Sequence, residues 1–375
     1  MQHKTLTIME TTRRKWLRNV ALGTAALSFS RLEAFSRAAG HPTIPDADNL
    51  TVRLSSNENP YGPGPMARKA MNEHVTASNR YGWDLSGQLR TALAQKDKVG
   101  DANILLAAGS TEILNLVSEY CAQEKGSLVI ANPSYSSWTN VAEQAGLNVV
   151  SVPLTADKKL NLPGMLTAIK TDTRLVYICN PNNPTGTVCE RNGLISFIRE
   201  GSQKALVLVD EAYIDFSDQE SLSRLVLENK NLVIAKTSSK IYGLAGARVG
   251  YGIAHTETTE RLSNLQCWPN GSTSVVSNAG ALAALNDIDF VSKTRSLNEQ
   301  VRKYTTGQLQ KLNLPCIPSM TNFVYFSLAQ YQGDFFKKLE DNNISGTGIY
   351  EEDGKWTRIT IGTMQEMQRF FQAMG

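Results

Sequence analysis

The sequence predicts an α/β fold in which a mostly parallel sheet lies between layers of helices and is followed by a smaller α+β unit. Apolar runs of three to five residues alternate with helical patterns between residues 104 and 235. These runs are nearly continuous rather than alternating, as is typical of parallel strands that are covered on both faces. From about residue 271 the pattern becomes helical and then combines two strands with two helices, which predicts a smaller second unit.

Composition and charge narrow the class of protein. The chain has 375 residues, of which 41% are hydrophobic and 19% charged, an ordinary globular composition with room for one large domain or two. A formal net charge of +3 is too balanced to predict nucleic-acid binding. Five cysteines without CxxC spacing and four histidines without an HExxH motif predict neither a disulfide framework nor a zinc site. No GxGxxG motif separates a strand from a helix, which argues against a dinucleotide-binding fold.

The first 38 residues are similar to a secretory signal rather than to part of the fold. The pair Arg13 and Arg14 precedes a short apolar stretch at residues 20–29 and small residues up to Ala38, after which we place the cleavage site. The apolar stretch is too short to span a bilayer as a stable helix. This pattern resembles a twin-arginine (Tat) signal and predicts export to the periplasm by the Tat machinery. The alternative is a basic amphipathic helix on a protein that stays in the cytoplasm.

The predicted fold begins with an irregular arm. Residues 53–65 are rich in proline, glycine and asparagine and cannot form regular structure. Because the arm is dense in polar and aromatic groups, we predict that it lines a binding site. The alternative is a plain surface loop. Helices are predicted over residues 66–75 and about 86–96, with an interruption at residues 79–83.

A glycine-hydroxyl turn follows the first predicted strand of the central sheet. Residues 104–107 form the strand, and Gly109, Ser110 and Thr111 open a helix that runs to about residue 123. Such a turn at a helix N-terminus suits an anion. The alternative is that Ser110 or Thr111 is only an N-cap.

Polar residues also follow the next strands, which are predicted at residues 128–130, 148–152, 175–179 and 205–209. Tyr135 follows the first of these, Asn183 the third, and Asp210 and Tyr213 the fourth. Ligands of parallel α/β sheets bind at the C-terminal ends of the strands. We therefore expect these side chains to meet at one edge of the sheet.

The stretch at residues 237–252 is the centre of the predicted site. An apolar run at residues 232–235 leads into Thr237, Ser239 and Lys240, and Arg248 follows eight positions after the lysine. Hydroxyl residues and glycines let a backbone approach an anion closely. Lys240 offers an amine, and Arg248 offers a planar fork for a phosphate. This combination suits a phosphorylated aldehyde that is held as a Schiff base.

The C-terminal part is predicted to be an α+β unit. A long helix is predicted at residues 287–312, strands at 322–327 and 357–361, and helices at 333–341 and 364–374. Arg358 stands in the last strand, where its side chain points either to solvent or into a site. We divide the chain into an arm with part of the small domain at residues 39–71, a large domain at 72–284 and a small domain at 285–375.

Taken together and in this order, three motifs resemble those of the class I/II aminotransferases, the fold-type-I enzymes that use pyridoxal 5'-phosphate. The motifs are Asn183 with Pro-Thr-Gly, Asp210 with Glu-Ala-Tyr, and Ser239-Lys240 with Arg248. The resemblance covers the chain from about residue 54 to its C-terminus. The motifs at residues 56–62 and 358–363 narrow it to the histidinol-phosphate aminotransferase-like branch.

The resemblance implies an activity and its catalytic residues. The enzyme would move an amino group between an amino acid and a 2-oxo acid by a ping-pong mechanism through a Lys240 aldimine. Lys240 would also act as the base that moves the proton at the α-carbon. Asp210 would pair with the pyridine nitrogen, and Tyr213 would tune the cofactor with a hydrogen bond to the ring oxygen.

The resemblance also implies ligand contacts and a homodimer with shared active sites. Tyr135 would stack on the ring, Asn183 would bond its oxygen, and Tyr81 would reach the phosphate of the neighbouring subunit. Arg358 would clamp the substrate carboxylate, with Asn57 and Tyr61 beside it. The phosphate would be held by Ser110, Thr111, Thr237, Ser239 and Arg248.

The stretch at residues 344–353 departs from the pattern of true histidinol-phosphate enzymes, in which a basic residue helps to bind the substrate phosphate. Here it contains no Arg or Lys and ends in Glu351, Glu352 and Asp353. Because these carboxylates would repel a phosphate, we expect unphosphorylated amino acids to be better donors than histidinol phosphate. A decarboxylase or racemase on the same fold and a non-catalytic binding protein are the alternatives.

Overall fold

The structure of this chain is a computed structural model that describes residues 51–351 and 353–374. The predicted signal peptide lies outside the described residues, and so does the linker before the arm. The strands are β1 (Val52–Arg53), β2 (Ile104–Ala107), β3 (Gly126–Asn132), β4 (Leu147–Pro153), β5 (Thr173–Cys179), β6 (Leu206–Asp210), β7 (Leu232–Thr237), β8 (Gly250–Ala254), β9 (Cys316–Ile317), β10 (Phe323–Ser327), β11 (Ile344–Ser345) and β12 (Trp356–Thr360).

The helices alternate with these strands through the first two thirds of the described chain. They are α1 (Pro65–His74), α2 (Trp83–Asp97), α3 (Ser110–Cys121), α4 (Thr139–Ala145), α5 (Leu162–Ala168), α6 (Arg191–Gly201), α7 (Thr256–Ser263), α8 (Val275–Asn286), α9 (Ile288–Lys311), α10 (Phe335–Asp341) and α11 (Met364–Met374). Short 3₁₀ helices cover Val75–Asn79, Asp101–Asn103, Ile214–Phe216, Ser223–Leu227 and Ala245–Ala247. No helix among the described residues is long and apolar enough to cross a membrane.

Within the described residues, seven strands form the central sheet in the order β2-β8-β7-β6-β5-β3-β4. Strands β3 to β7 run parallel to one another, whereas β8 pairs antiparallel with both β7 and β2. The prediction of a mostly parallel sheet between helices is therefore confirmed. All five β6 residues are buried, which explains why its sequence does not alternate between apolar and polar residues.

Alternate residues of the inner strands supply two separate cores, one on each face of the sheet. In β6, Val207 and Val209 belong to one core, while Leu206 and Leu208 belong to the other. This double burial leaves no solvent face for polar side chains along the strand. Polar residues are therefore concentrated where the strands end.

A second, smaller sheet has the order β12-β10-β9 and is antiparallel. It packs with α9, α10 and α11 around a third core that includes Val324, Phe326, Ile359 and Phe370. The short strand β1 pairs in parallel with β11, which joins the N-terminal arm to this unit. The domain boundaries proposed from the sequence stay a prediction.

The long C-terminal helix lies within one residue of its predicted bounds, whereas four strands are not predicted. The long C-terminal helix begins at Ile288, and Asp287 separates it from α8 by accepting a hydrogen bond from the backbone N–H of Phe290 at 3.4 Å. Strands β1, β8, β9 and β11 are absent from the sequence prediction. Strands β1, β9 and β11 have two residues each and carry no periodic pattern, and two glycines, Gly250 and Gly252, interrupt the apolar run of β8. Their pairing depends on residues far away in the chain.

Candidate active site

A cavity of about 490 Å³ opens where β3, β5, β6 and β7 end at their C-terminal edge. The expectation that polar strand-end residues meet at one place is met. The cavity is lined by most of the side chains singled out from the sequence, namely Asn57, Ser110, Thr111, Tyr135, Asn183, Asp210, Tyr213, Thr237, Ser239, Lys240, Arg248 and Arg358.

Lys240 follows β7, and its amine faces the cavity. Its Nζ donates a hydrogen bond to the carbonyl of Ser56 at 3.2 Å and lies 5.4 Å from the centre of the Tyr213 ring. Burial in the surrounding protein and the positive charge of Arg358 lower the pKa of Lys240 from 10.5 to about 8. The amine is therefore neutral, and able to attack a carbonyl, in a far larger fraction than an ordinary lysine near pH 7.

Asp210 is the last residue of β6 and is buried. Its carboxylate accepts hydrogen bonds from the Tyr177 hydroxyl at 3.0 Å and from the backbone N–H of Ala212 at 2.9 Å. Burial raises the pKa of Asp210 to about 6, although these two hydrogen bonds oppose the shift. A buried carboxylate that is still largely ionised at neutral pH suits a cationic partner.

An anion cradle lies at the N-terminus of α3. Gly109 has a φ of +81°, and no side chain caps the first turn of the helix. A β-carbon on Gly109 would collide with the guanidinium of Arg248. Arg248 donates to the carbonyls of Ala108 and Ala245 at 3.1 and 3.2 Å. Because free backbone N–H groups and a guanidinium converge here, the cradle suits a phosphate.

Hydroxyl groups complete the cradle on the side of β7. The Thr237 hydroxyl donates to the Ser239 hydroxyl at 2.8 Å and accepts from the backbone N–H of Ser239 at 3.1 Å. This bond pair fixes the turn that leads into Lys240. The amine and the cradle are therefore held by one short stretch of chain.

Arg358 points into the cavity from β12 and is only 6% exposed. Its two terminal nitrogens donate to Asn183 Oδ1 and to the carbonyl of Ser55, each at 2.5 Å, and its Nε has no partner. The guanidinium carbon lies 5.2 Å from the Phe323 ring and 5.4 Å from the Tyr350 ring. A buried cation with an unsatisfied donor suits an anionic ligand.

Tyr213 links the arm to the strand ends. Its hydroxyl accepts from Asn57 Nδ2 at 2.9 Å and from Asn183 Nδ2 at 3.4 Å. Burial raises the pKa of Tyr213, and the charge of Arg358 opposes that shift. The phenol therefore stays protonated and can donate to a ligand oxygen.

Two predicted site residues do not line this cavity. Tyr61 lies in a separate small pocket beside Phe216 and Asn298, and its contact with the substrate stays a prediction. Tyr81 is 70% exposed and packs against Trp83 and Trp268, with ring centres 5.6 and 4.7 Å away. A Tyr81 contact with a neighbouring subunit stays a prediction.

Tyr177 and Tyr350 belong to the site but were not predicted. Tyr177 lies inside an apolar run. The sequence pattern does not show whether its hydroxyl bonds a residue of the next strand or whether its ring is only part of the core. Tyr350 lines the cavity against Arg358. In the sequence, Tyr350 is an aromatic residue in a glycine-rich loop. The interpretation of that loop rested on the acidic residues that follow it.

The expected repulsion from the acidic loop is not supported by the geometry. Glu351 pairs with Lys158 at 2.6 Å and accepts a hydrogen bond from the Tyr325 hydroxyl at 2.7 Å. Its charge is therefore compensated locally. Asp353 is exposed and accepts from the backbone N–H of Lys355 at 3.0 Å, and Glu352 lies outside the described residues.

Comparisons with known proteins point to one family. The profile of the family "aminotransferase class I and II" matches residues 51–374. Histidinol-phosphate aminotransferases from Moorella thermoacetica and Symbiobacterium thermophilum are each 34% identical and cover 86% of this chain, which spans 84% and 89% of their lengths. The structure of a Sinorhizobium meliloti histidinol-phosphate aminotransferase in complex with pyridoxal-5'-phosphate is 25% identical, with a TM-score of 0.78. The match covers 87% of this chain and 90% of that one.

Proposed function

This chain belongs to the class I and II aminotransferases and uses pyridoxal 5'-phosphate, and we propose that its amino donor is an unphosphorylated amino acid. The observation that carries this proposal is the distribution of positive charge in the cavity. Among the described lining residues, the cations are Lys240, Arg248 and Arg358. The cofactor engages the first two, so Arg358 is left as the cation for the anionic group of the donor.

The residues present fit the cofactor. An amine with a lowered pKa suits its aldehyde, a buried carboxylate suits its ring nitrogen, and the cradle at Gly109 and Arg248 suits its phosphate. When bound, pyridoxal phosphate supplies an electron-withdrawing ring that makes the α-proton of the donor acidic. We assign Lys240, Asp210 and Arg248 to these three contacts, with Ser110, Thr111, Thr237 and Ser239 around the phosphate.

Lys240 also does the proton chemistry in this proposal. Its Nζ would hold the cofactor aldehyde, and the same amine, when free, would take the proton from the donor α-carbon. The lowered pKa keeps part of this amine neutral near pH 7, as a base must be. Asp210 would keep a proton on the ring nitrogen. The Tyr213 hydroxyl, which accepts from Asn57 and Asn183, would donate to the ring oxygen.

Arg358 binds the carboxylate of the donor. Its contacts with Asn183 and Ser55 hold the guanidinium plane in place, and its unpartnered Nε supports an additional anionic partner. Arginine and carboxylate match in geometry and charge. Histidinol phosphate carries a phosphate ester in place of a carboxylate, with a charge close to −2. One guanidinium compensates a carboxylate fully but such a phosphate only in part.

Histidinol phosphate is the second candidate donor, because the curated relatives described above bear the name histidinol-phosphate aminotransferase. Steady-state kcat/KM values for histidinol phosphate and for a panel of unphosphorylated amino acids, with 2-oxo acid formation as the readout, separate the two. We expect the best amino acid to exceed histidinol phosphate by on the order of tenfold or more. A clear preference for histidinol phosphate would overturn the proposal.

We also propose a homodimer in which Tyr81 contributes to the neighbouring active site. Tyr81, Trp83 and Trp268 form an exposed aromatic cluster that is 70%, 46% and 49% exposed. Exposed clusters of large aromatic side chains are typical of protein interfaces. The resemblance of the sequence to shared-site enzymes supports the same arrangement.

Finally, we propose that the protein is exported to the periplasm through the Tat route. The proposal rests on Arg13, Arg14 and the apolar stretch that follows them in the sequence. Tat substrates are exported in the folded state, which suits an enzyme that receives its cofactor before transport.

A further inference from the structure

The hairpin that carries Tyr350 is weakly held by its own backbone. Tyr350 donates its N–H to the carbonyl of Trp356 at 3.0 Å, Gly354 donates to Glu351 at 3.0 Å, and an isolated bridge joins Ile349 to Thr357. The tip of the hairpin is exposed. The Thr357 hydroxyl also donates to the carbonyl of Gly348 at 3.0 Å, and the Leu328 N–H donates to the carbonyl of Lys355 at 2.6 Å. These bonds hold the base of the hairpin, and side-chain contacts add to them around Tyr350.

One of these contacts is the ion pair between Glu351 and Lys158. The Lys158 amine lies 2.8 and 2.6 Å from the two carboxylate oxygens, and each side chain is 18% exposed. The Tyr325 hydroxyl donates to Glu351 at 2.7 Å. The Lys158 amine also lies 4.6 Å from the centre of the Trp356 ring. A pair that is shielded and supported in this way is stronger than an ordinary surface ion pair.

The lysine of this pair belongs to the turn between β4 and α5, on the side of the central sheet. Its N–H bonds the carbonyl of Thr155 at 2.9 Å, and its carbonyl accepts from the Thr187 hydroxyl at 2.9 Å. Thr187 in turn bonds Thr185, which is part of the loop that carries Asn183. The ion pair therefore fastens the C-terminal hairpin to the same loop that supports Arg358.

Tyr350 is the residue next to Glu351, and it covers one side of Arg358. The guanidinium lies between the rings of Phe323 and Tyr350. Phe323 is fully buried in β10, whereas Tyr350 depends on the hairpin. If the hairpin moved away, water would reach the guanidinium on that side and weaken its interaction with an anion.

We propose that Lys158 and Glu351 form a latch that holds Tyr350 against Arg358 and thereby sets the affinity for the anionic group of the substrate. Lys158 and Glu351 are positioning residues that act through Tyr350, and Tyr350 is the wall that shields the anion site. The inference rests on the proposed assignment of Arg358 to the donor carboxylate.

The test compares kinetic constants of Lys158→Met, Lys158→Arg and the charge swap Lys158→Glu with Glu351→Lys. We expect Lys158→Met to raise KM for the amino acid donor by on the order of tenfold while kcat changes by less than about twofold. Lys158→Arg and the charge swap should restore most of the loss. Lys159→Met is the matched control, because Lys159 pairs with Asp157 on the exposed surface, and its KM should stay unchanged.

A double-mutant cycle shows whether the latch acts through Tyr350. Tyr350→Ala should raise KM by a similar factor, and adding Lys158→Met to it should have little further effect. Full additivity of the two changes would overturn the proposal. A readout that does not depend on catalysis is the rate of proteolytic cleavage within residues 346–354 of the folded protein, which should rise in Lys158→Met but not in Lys159→Met.

The failure of this inference is distinguishable from failure of the proposed function. Arg358→Gln should raise KM for carboxylate donors more strongly than Lys158→Met does. If Arg358→Gln leaves this KM unchanged, the assignment of Arg358 fails and the latch fails with it. If Arg358→Gln raises KM but Lys158→Met behaves like Lys159→Met, only the latch is overturned.

Discussion

At the scale of single residues, the cavity holds an amine and a carboxyl whose pKa values move towards each other. Burial is the main cause in both cases and brings the pKa of Lys240 down to about 8 and the pKa of Asp210 up to about 6. Near pH 7, about a tenth of the amine is then neutral while about nine tenths of the carboxyl is ionised. Attack on an aldehyde and pairing with a cation are therefore available at the same pH.

The first prediction concerns loading of the cofactor. The rate at which pyridoxal phosphate attaches to Lys240 of the apoprotein should rise about tenfold per pH unit and level off above about pH 8, because the neutral amine is the nucleophile. A lysine with the ordinary pKa of 10.5 would keep rising. Absorbance follows the reaction, and borohydride trapping with peptide mapping locates the adduct. An adduct on another lysine would contradict the assignment.

Two substitutions serve as opposed controls for this pH dependence. The charge of Arg358 lowers the pKa of Lys240, whereas the charge of Glu58 raises it. Arg358→Gln should therefore move the midpoint of the loading rate to higher pH, and Glu58→Gln should move it to lower pH. Movement of both midpoints in the same direction would show that these charges do not set the shift.

The residue scale also shows what the sequence could predict. Asp210 stands directly after an apolar run, and Asn183 and Lys240 stand within five residues of one. Because the ends of parallel strands meet at one edge, the convergence of these residues follows from the pattern. The direction of Arg358 does not, because a strand has two faces and only the pairing of β12 with β10 selects one. The sequence also does not predict that Lys158 compensates the charge of Glu351, because the two residues are far apart in the chain.

At the scale of elements, β6 and β7 carry Asp210 and Lys240, and a buried ion cluster lies beside them. Lys236 of β7 contacts Asp97 at the end of α2 and lies 3.5 Å from Glu211, which follows Asp210. Tyr251 of β8 donates to Asp97 at 2.7 Å. The cluster therefore joins three neighbouring strands and a helix, and one of its carboxylates belongs to the residue that follows Asp210.

The second prediction is that this cluster is essential for stability. Lys236→Met leaves two buried carboxylates without their cation, so it should lower the free energy of unfolding by about 3–5 kcal/mol. Urea denaturation measures the change. Lys204→Met is the control, because Lys204 pairs with Glu200 on the exposed face of the chain, and it should change stability by less than about 1 kcal/mol. Equal effects of the two substitutions would contradict the role of the cluster.

The sequence predicts the long elements well and the connections between them poorly. Runs such as β6 and β7 are recognisable because burial on both faces makes them continuously apolar. Lys236 breaks that run and resembles a surface residue, since its partner Asp97 lies on another element. The start of α9 at Asp287 is an exception, because the sequence predicts it to within one residue.

At the scale of the whole molecule, the exposed aromatic cluster supports the proposed dimer. The third prediction is that the purified protein is a dimer and that Trp268→Asp shifts it towards the monomer, because a charge in the centre of an apolar interface is costly to bury. Sedimentation measures the mass. Ile288→Asp is the control, since Ile288 is exposed at the start of α9 and lies beside Lys96 and Asp97, at the opposite end of α2 from Trp83. An unchanged dimer in Trp268→Asp would place the interface elsewhere.

The fourth prediction concerns export. The double substitution Arg13→Lys with Arg14→Lys preserves the charge of the N-terminus, yet it should keep the protein in the cytoplasm, because a receptor recognises the arginine pair. Cell fractionation followed by immunodetection measures the distribution. Undiminished export of the double variant would argue for a different route.

The pairing of β1 with β11 has a consequence for the order of assembly during synthesis. The backbone N–H groups of Val52 and Leu54 donate to the carbonyls of Asn343 and Ser345. The carbonyls of the next two residues, Ser55 and Ser56, accept hydrogen bonds from Arg358 and Lys240. The arm is among the first described segments to leave the ribosome, but its partner strand is among the last. The cavity is therefore completed only after translation has nearly finished, and the nascent chain has no finished pocket to offer a cofactor until then.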